Sequence, residues 1–490
     1  MNVAAIFEKL LCQGLASVES ISSDSREVQV GDVFLAYPGI SSDGRRYIRE
    51  AVFRGCAAVI YESGDNFVWS EDIICPHIGC SNIVEYLGEI AQYVYHHPSS
   101  RLHVTAVTGT NGKTTAVSWL SFLYDRCNYS GASIGTLGWG KCGDLRPHGL
   151  TTPNTVSLHS YLSHFEKHGV THVALEASSI GLEQSRLQGI DVDVVVLTNL
   201  QTDHLDYHKT NDNYARSKEM LFQRDFSCAV VNSDDPFGRF LNSSYNSGRS
   251  SWVTFGIDPE FSHDVTASDI TTSESGIVCK ISVFGEEMQI SLPIYGLHSL
   301  SNFLAVLSVL VVQGAQWKES LFYARSLPGL PGRLEPIHGE GDDCFVWVDY
   351  AHTPDAMAAV LSTLRSWMNI DQRLVCIFGC GGDRDRSKRP QMGAVACSYA
   401  DQVILTEDNP RGEESARIIR DILPGCHDAP FVYVIYDRYD AIVSTILSVR
   451  AGDVVVIMGK GHEDYQEIDS VRHLFSDRVI ASEALARRKR

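Results

Sequence analysis

The stretch "VTGTNGKTTA", residues 107–116, decides how the rest of the chain is read. It follows an apolar run, "LHVTAV" (102–107), and leads into a second, "AVSWLSFLY" (116–124). Strand, glycine turn and helix in that order aim backbone N–H groups and a positive helix end at phosphate oxygens. On this reading Gly109, Thr110, Asn111, Gly112, Lys113, Thr114 and Thr115 form an ATP-binding loop. Lys113 bridges the β- and γ-phosphates, and the Thr114 hydroxyl holds Mg2+. The common phosphate-loop pattern also has a glycine six residues before the lysine, where this chain has Val107. A glycine turn carrying a surface lysine would share the Gly-Lys-Thr ending. The flanking strand and helix favour the nucleotide site.

Outward from this loop, short apolar runs alternate with helical stretches. "HVALEA" (172–177) and "VDVVVLTNL" (192–200) read as buried strands of the same unit. Beyond residue 331 the pattern repeats in "FVWVDY", "RLVCIFG", "QVILTE" and "DVVVIMG", each but the last followed by a helical stretch. Such alternation predicts α/β domains with parallel sheets covered on both faces. Ligands then gather at the carboxyl ends of the strands. Two breaker-rich stretches, "HHPSSR" (96–101) and "SLPGLPGRLEP" (326–336), mark joints. The expected units are 1–99, 100–330 and 331–490.

Composition narrows the classes. Asp plus Glu number 60 against 41 for Lys plus Arg, a net charge of −19. No basic excess exists to neutralise nucleic-acid phosphates, and the basic end Arg487–Arg490 reads as a solvated tail. Glu8 and Lys9 interrupt the first apolar run, so it reads as a helix and not a signal peptide. The longest apolar stretch, Leu304–Val312, is far short of the ~18 residues of a membrane span. Thirteen dispersed cysteines without a CxxC pair suit reduced thiols in cytosol. Cys376 and Cys380 read as packing thiols. A cytoplasmic monomer, bound to neither membrane nor nucleic acid, is the expectation.

Two further strand ends offer metal ligands: Glu176 closes "HVALE", and His204 lies in "NLQTDHLDYH". Mg2+ takes few protein ligands and shares the rest with phosphates. By themselves, Glu176 could be a helix-cap carboxylate and His204 a loop histidine.

GTNGKTT (109–115), TTPNT (151–155), LEASSIGL (175–182), TNLQTDHLDYH (198–208), DYAHTP (349–354), GCGGDRDRSKRP (379–390) and GKGHEDY (459–465) together resemble the Mur ligases. These are ATP-dependent amide-bond formers of peptidoglycan precursor synthesis, serving cell-wall biogenesis, cell shape and division. "SDSREVQVGDVFLAYPG" (23–39) resembles the nucleotide-sugar-binding domain of the member that adds the third amino acid. The resemblance implies three domains: an N-terminal α/β UDP-binding domain, a central phosphate-loop ATPase-like parallel sheet and a C-terminal Rossmann-like α/β domain. It also implies a loop of the form Gly-x-x-Gly-Lys-Thr, with no glycine at Val107.

The implied substrates are ATP, UDP-N-acetylmuramoyl-L-alanyl-D-glutamate and an amino acid, joined through an acyl phosphate. The resemblance assigns Lys113, Glu176, His204 and Lys218 to catalysis. Thr114, Glu176, His204 and Lys218 go to Mg2+, with Lys218 carbamylated by CO2. Asn302, Arg333, Asp349 and His352 match nucleotide contacts. Ser25, Thr151, Thr152, Ser178, Arg186 and Lys218 match contacts to the UDP-muramoyl peptide. Asp408-Asn409-Pro410-Arg411 resembles the signature for meso-diaminopimelate, with Arg384, Gly459 and Glu463 as further contacts. An arginine fork can grip the second carboxylate that lysine lacks.

Three positions depart from the family pattern: His298-Ser299 replaces the usual Phe-Asn, and Arg45 a usual histidine. A lysine-adding homologue, a folylpolyglutamate synthase-like ligase and a non-catalytic nucleotide-binding module are the rival readings.

Overall fold

The structure is a computed structural model. It describes residues 2–39, 42–246, 248, 250–337, 341–426 and 431–488; Lys489 and Arg490 of the basic tail lie outside the described residues. Three α/β units follow one another along the chain.

The first opens with the helix Val3–Cys12, started by Asn2, whose side chain accepts from the Ala5 N–H at 3.2 Å. Val3, Ile6, Phe7 and Leu10 recur at helical spacing and are buried. They pack on a four-stranded parallel sheet ordered Ile21–Ser22, Val33–Ala36, Ala58–Glu62, His77–Cys80. Around the first joint, Ser99 is buried and exchanges hydrogen bonds with Asp191, so the connection is pinned to the middle unit.

The middle unit has an eleven-stranded sheet. Six adjacent strands are mutually parallel: Ser251–Gly256, Cys228–Asn232, Val194–Leu197, His103–Thr108, His172–Glu176 and Gly131–Gly135. Helices Lys113–Arg126 and Leu297–Val312 cover one face. Thr155–Lys167 covers the other. The apolar run 304–312 is therefore a buried helix face, and no described helix is long and apolar enough to cross a membrane.

The sequence led us to expect a parallel sheet; the structure adds antiparallel arms at both edges. Gly138–Lys141 and Asp144–Arg146 form one. Gly276–Val283 and Glu286–Leu292 form the other, joined through Val265–Ser273. Burial there alternates along the strand, as in a sheet with one wet face.

The last unit carries a six-stranded sheet ordered Glu335–Pro336, Phe345–Asp349, Val454–Met458, Leu374–Phe378, Gln402–Leu405, Val432–Val434, and a separate hairpin, Tyr465–Ile468 with Val471–Leu474. All strands of the six-stranded sheet pair in parallel except the first. Cys376 and Cys380 pack in its core as free thiols.

A fully buried ion pair braces this sheet: Arg438 donates to Asp477 at 2.8 and 2.7 Å. It also donates to the carbonyls of Glu407 and Met458, at the ends of two strands that lead into candidate site loops. Asp477→Ala leaves the guanidinium buried and unpaired, and is expected to cost about 3–5 kcal/mol. Denaturant unfolding of the C-terminal unit measures this as a lowered midpoint.

Candidate active site

Strand His103–Thr108 lies between His172–Glu176 and Val194–Leu197, with Val107 beside Glu176 and Thr108 beside Leu197. Three strand ends thus release residues 109–112, Glu176 and 198–204 at one sheet edge. Val107 is still in the strand and wholly buried, which is why no glycine is needed there. Gly109 and Gly112 are different. Their φ values are +147° and +87°, and an added Cβ would collide with the Thr198 hydroxyl and the Asn302 amide respectively.

Two lysines converge on one carbonyl. Lys113 Nζ donates to the oxygens of Gly109 (2.8 Å) and Thr110 (3.0 Å). Lys218 Nζ, from helix Asn211–Glu219, donates to the same Gly109 oxygen at 2.8 Å. Lys218 is buried, with its ammonium 4.4 Å from the centre of the Tyr214 ring. Burial lowers the pKa of both amines, and Lys113 pushes that of Lys218 further down. Glu176 is also buried and accepts from the Thr136 N–H (2.8 Å) and hydroxyl (3.2 Å). Burial raises its pKa, against the pull of nearby Lys113.

His204 follows in a left-handed conformation, φ 54°. Its neighbour Asp203, which sequence reasoning passed over, lies 3.5 Å from His204 Nε2 and 3.8 Å from His352 Nε2. Burial works to raise the Asp203 pKa, but its bond to His352 and the nearby His204 and Lys388 hold it well below the usual range. Asp203 therefore links the middle and last units.

A cavity of about 270 Å³ opens between these units, walled by Asn111, His298, Asn302, Leu330, Arg333 and Asp349. Asn302 is buried against Gly112, and burial lowers the pKa of His298. Arg333 reaches Thr114 Oγ1 at 3.5 Å and lies over the Tyr350 ring at 4.8 Å. Its Nε is buried without a hydrogen-bond partner among the described residues, an unused donor in the cavity wall. Asp349 accepts from the N–H groups of Leu334 (2.5 Å) and Ala351 (2.7 Å), which fixes the cavity wall.

Beside Glu176, Thr136 Oγ1 meets Thr151 Oγ1 at 3.2 Å. The Thr152 hydroxyl donates to the Glu176 carbonyl (2.7 Å) and meets Ser178 Oγ at 2.9 Å. Ser178 caps the helix Ser179–Glu183, and Arg186 donates to the Thr152 carbonyl at 2.5 Å. These four residues form one patch. Ser25 lies in the first unit, donating to Glu50 at 3.0 Å. Arg45 is committed to Asp43 at 2.8 Å and the Gly64 carbonyl at 2.9 Å, so its guanidinium serves the loop.

At the carboxyl ends of the last sheet, Asp408 is buried and accepts from the Asn409 N–H at 2.7 Å. Gly459 lies so close that an added Cβ would strike the Asp408 carboxylate. Asn409 donates to Glu463 at 2.8 Å. Arg411 donates through Nη1 to the Gly382 carbonyl at 2.9 Å and lies 3.6 Å from Glu467. Arg384 is half exposed, 3.9 Å from Asp206 of the middle unit. A wholly buried Arg389 ties the loops behind this site together through Glu413 (2.9 Å), Asp421 (2.8 Å) and the Gly381 carbonyl (3.3 Å).

A phosphate loop in one α/β unit, facing a second across a shared cavity, with a cluster of side chains of both charges at that second unit's strand ends, defines a class. Residues 17–95 match the Mur ligase family, catalytic domain; 107–310 the Mur ligase middle domain; and 332–461 the Mur ligase, glutamate ligase domain. The chain belongs to the Mur ligase family. It is 38% identical to UDP-N-acetylmuramoyl-L-alanyl-D-glutamate--2,6-diaminopimelate ligase of Chromobacterium violaceum, over 96% of this chain and 94% of that one. The Pseudomonas putida protein of the same name is 40% identical, over 96% and 95%. A solved structure of a ligase so named superposes with a TM-score of 0.67 at 34% identity, covering 96% of each chain. Folylpolyglutamate synthase of Mycobacterium tuberculosis, at 18% identity and a TM-score of 0.61 over 82% of this chain and 94% of that one, shares the fold alone.

Proposed function

We propose that this chain is the ATP-dependent ligase that adds meso-2,6-diaminopimelate to UDP-N-acetylmuramoyl-L-alanyl-D-glutamate in peptidoglycan synthesis. Near-full-length likeness to ligases of that name carries the reading. The loop Asp408–Arg411 facing Glu463 supplies its physical reason, because a cation and an anion side by side suit an amino-acid terminus.

The D-Glu carboxylate oxygen attacks the γ-phosphorus of ATP and ADP leaves. The diaminopimelate amine then attacks the acyl carbon, phosphate leaves, and the nitrogen loses a proton. Gly109–Thr115 wrap the triphosphate. Lys113 exchanges its two carbonyl acceptors for phosphate oxygens, and Arg333 offers its unpartnered Nε to the same charge. Asn302, Asp349 and His352 shape the nucleoside cavity.

Thr114, Glu176, His204 and Lys218 as a carbamate fit Mg2+: a buried carboxylate beside a hydroxyl suits a hard cation that shares phosphate oxygens. When bound, Mg2+ neutralises charge on the transferring phosphoryl group. Thr151, Thr152, Ser178, Arg186 and Ser25 hold the UDP-muramoyl peptide. Arg384, Asp408, Asn409, Arg411, Gly459 and Glu463 hold diaminopimelate. We place the joints near 99 and 330 and the working state as a cytoplasmic monomer; thirteen free cysteines favour a reducing compartment.

Phosphate release tests this with ATP, Mg2+ and the UDP-dipeptide, adding meso-diaminopimelate, L-lysine or neither. Turnover is expected with diaminopimelate. Turnover with lysine instead would make the chain a lysine-adding homologue, and no turnover with either would defeat the reading.

A further inference from the structure

Lys460 is a cation with no exposed surface, beside the proposed diaminopimelate pocket and not among the residues assigned to it. It follows strand Val454–Met458 between Gly459 and Gly461. Its Nζ donates to Asn409 Oδ1 at 3.0 Å, Glu463 Oε2 at 3.0 Å and the Tyr465 carbonyl at 2.5 Å. An ammonium has three N–H bonds. All three are used within the protein, so none remains for a ligand.

Those bonds decide how two ligand-facing groups point. Asn409 Oδ1 accepts from Lys460 and from the Glu467 N–H (2.9 Å), both of which can only donate. A flipped amide would set its own NH2 against two donors. The amide is thereby locked with Nδ2 toward Glu463 Oε2, at 2.8 Å. Glu463 Oε2 in turn receives both Lys460 and Asn409. Its Oε1 has no hydrogen-bond partner among the described residues, which leaves that oxygen free to accept from a ligand ammonium.

We propose that Lys460 is a positioning residue for the amino-acid acceptor, setting the Asn409 amide and leaving one Glu463 oxygen open to the acceptor's distal ammonium. This rests on the ligase reading above. A buried cation that only supports the fold would affect all substrates alike. A positioning residue affects the acceptor selectively.

The test uses full-length Lys460→Met, Lys460→Gln, Asn409→Ala and the Lys460→Met/Asn409→Ala double variant. Steady-state constants are measured for ATP, the UDP-dipeptide and meso-diaminopimelate. A second readout is UDP-dipeptide-dependent exchange of 18O between the bridging and non-bridging positions of the ATP β,γ-phosphates, which reports the first half-reaction alone. Lys460→Met is expected to raise the diaminopimelate KM about tenfold or more, with the other two KM values within about twofold. The isotope exchange should persist. Lys460→Gln keeps a donor and should show a smaller rise, which also covers a failure of Lys460→Met to fold. The double variant should be no worse than the worse single, because both changes break the same contacts.

The proposal is overturned if the diaminopimelate KM is unchanged, if exchange falls in step with ligation in folded protein, or if the two single effects add in full. Wild-type protein inactive with diaminopimelate would instead defeat the ligase reading on which it rests.

Discussion

Lys218→Ala is expected to lower kcat on the order of 10³-fold, the scale of removing one preorganised charge-stabilising group. The reason begins with burial. Lys218 shares the Gly109 carbonyl with Lys113, and burial plus that second cation hold its pKa well below that of an ordinary lysine. The neutral amine is the form that adds to CO2: an N–C bond forms, a proton leaves, and an anionic carbamate remains. Next to Lys113, this turns repulsion between two cations into attraction. It would also supply an oxygen ligand for Mg2+.

Two measurements separate the carbamate from a lysine acting as a plain cation. Labelling with 13C-bicarbonate should give one carbamate carbon in wild type and none in Lys218→Ala. Wild-type activity should fall in CO2-depleted buffer and return with bicarbonate. The sign with pH follows from the amine: its lowered pKa leaves more of it neutral at a given pH, so labelling should rise with pH and begin below the range of a solvated lysine. Unlabelled, fully active wild type would remove the carbamate. A variant within about tenfold of wild type would remove Lys218 from the mechanism.

The phosphate loop was legible in sequence because its signal is local: an apolar strand, two glycines in forced conformations and a helix. Strand order across a sheet is not local. Nothing in "VTASDITTSESGIVCKISVFGEEMQISL" says that its hairpin extends the same sheet as the loop; that pairing is fixed by long-range contacts. Asp203 and Lys460 both lie inside quoted motifs and were still passed over. A lone Asp or Lys reads by default as a solvated charge, and only the tertiary partners His352 and Asn409 reveal otherwise. Arg45 departs from the family histidine in the sequence, but only the structure shows that its guanidinium is tied to Asp43 and the Gly64 carbonyl.

Arg411→Met is expected to raise the diaminopimelate KM on the order of 10³-fold, the worth of two charged hydrogen bonds lost together. Arg411 is built to hold still. Its backbone takes a left-handed conformation, φ 52°, and is fastened by its N–H to the Glu467 carbonyl (2.9 Å) and by its own carbonyl to the Asp469 N–H (2.8 Å). Its head uses Nη1 on Gly382 and leans toward Glu467, while Nη2 has no partner among the described residues. A second carboxylate on the amino acid gives that fork its match. L-Lysine has none, so binding it leaves the guanidinium covered and incompletely paired. The variant's kcat/KM for lysine should therefore change by less than about tenfold, and the preference for diaminopimelate should collapse. Arg411→Lys is expected to recover little, because an ammonium is a point charge and cannot reproduce the planar fork. If Arg411→Met kept the wild-type ratio of kcat/KM between the two amino acids, selectivity would have to come from Arg384 and Glu463, and the loop Asp408–Arg411 would be structural.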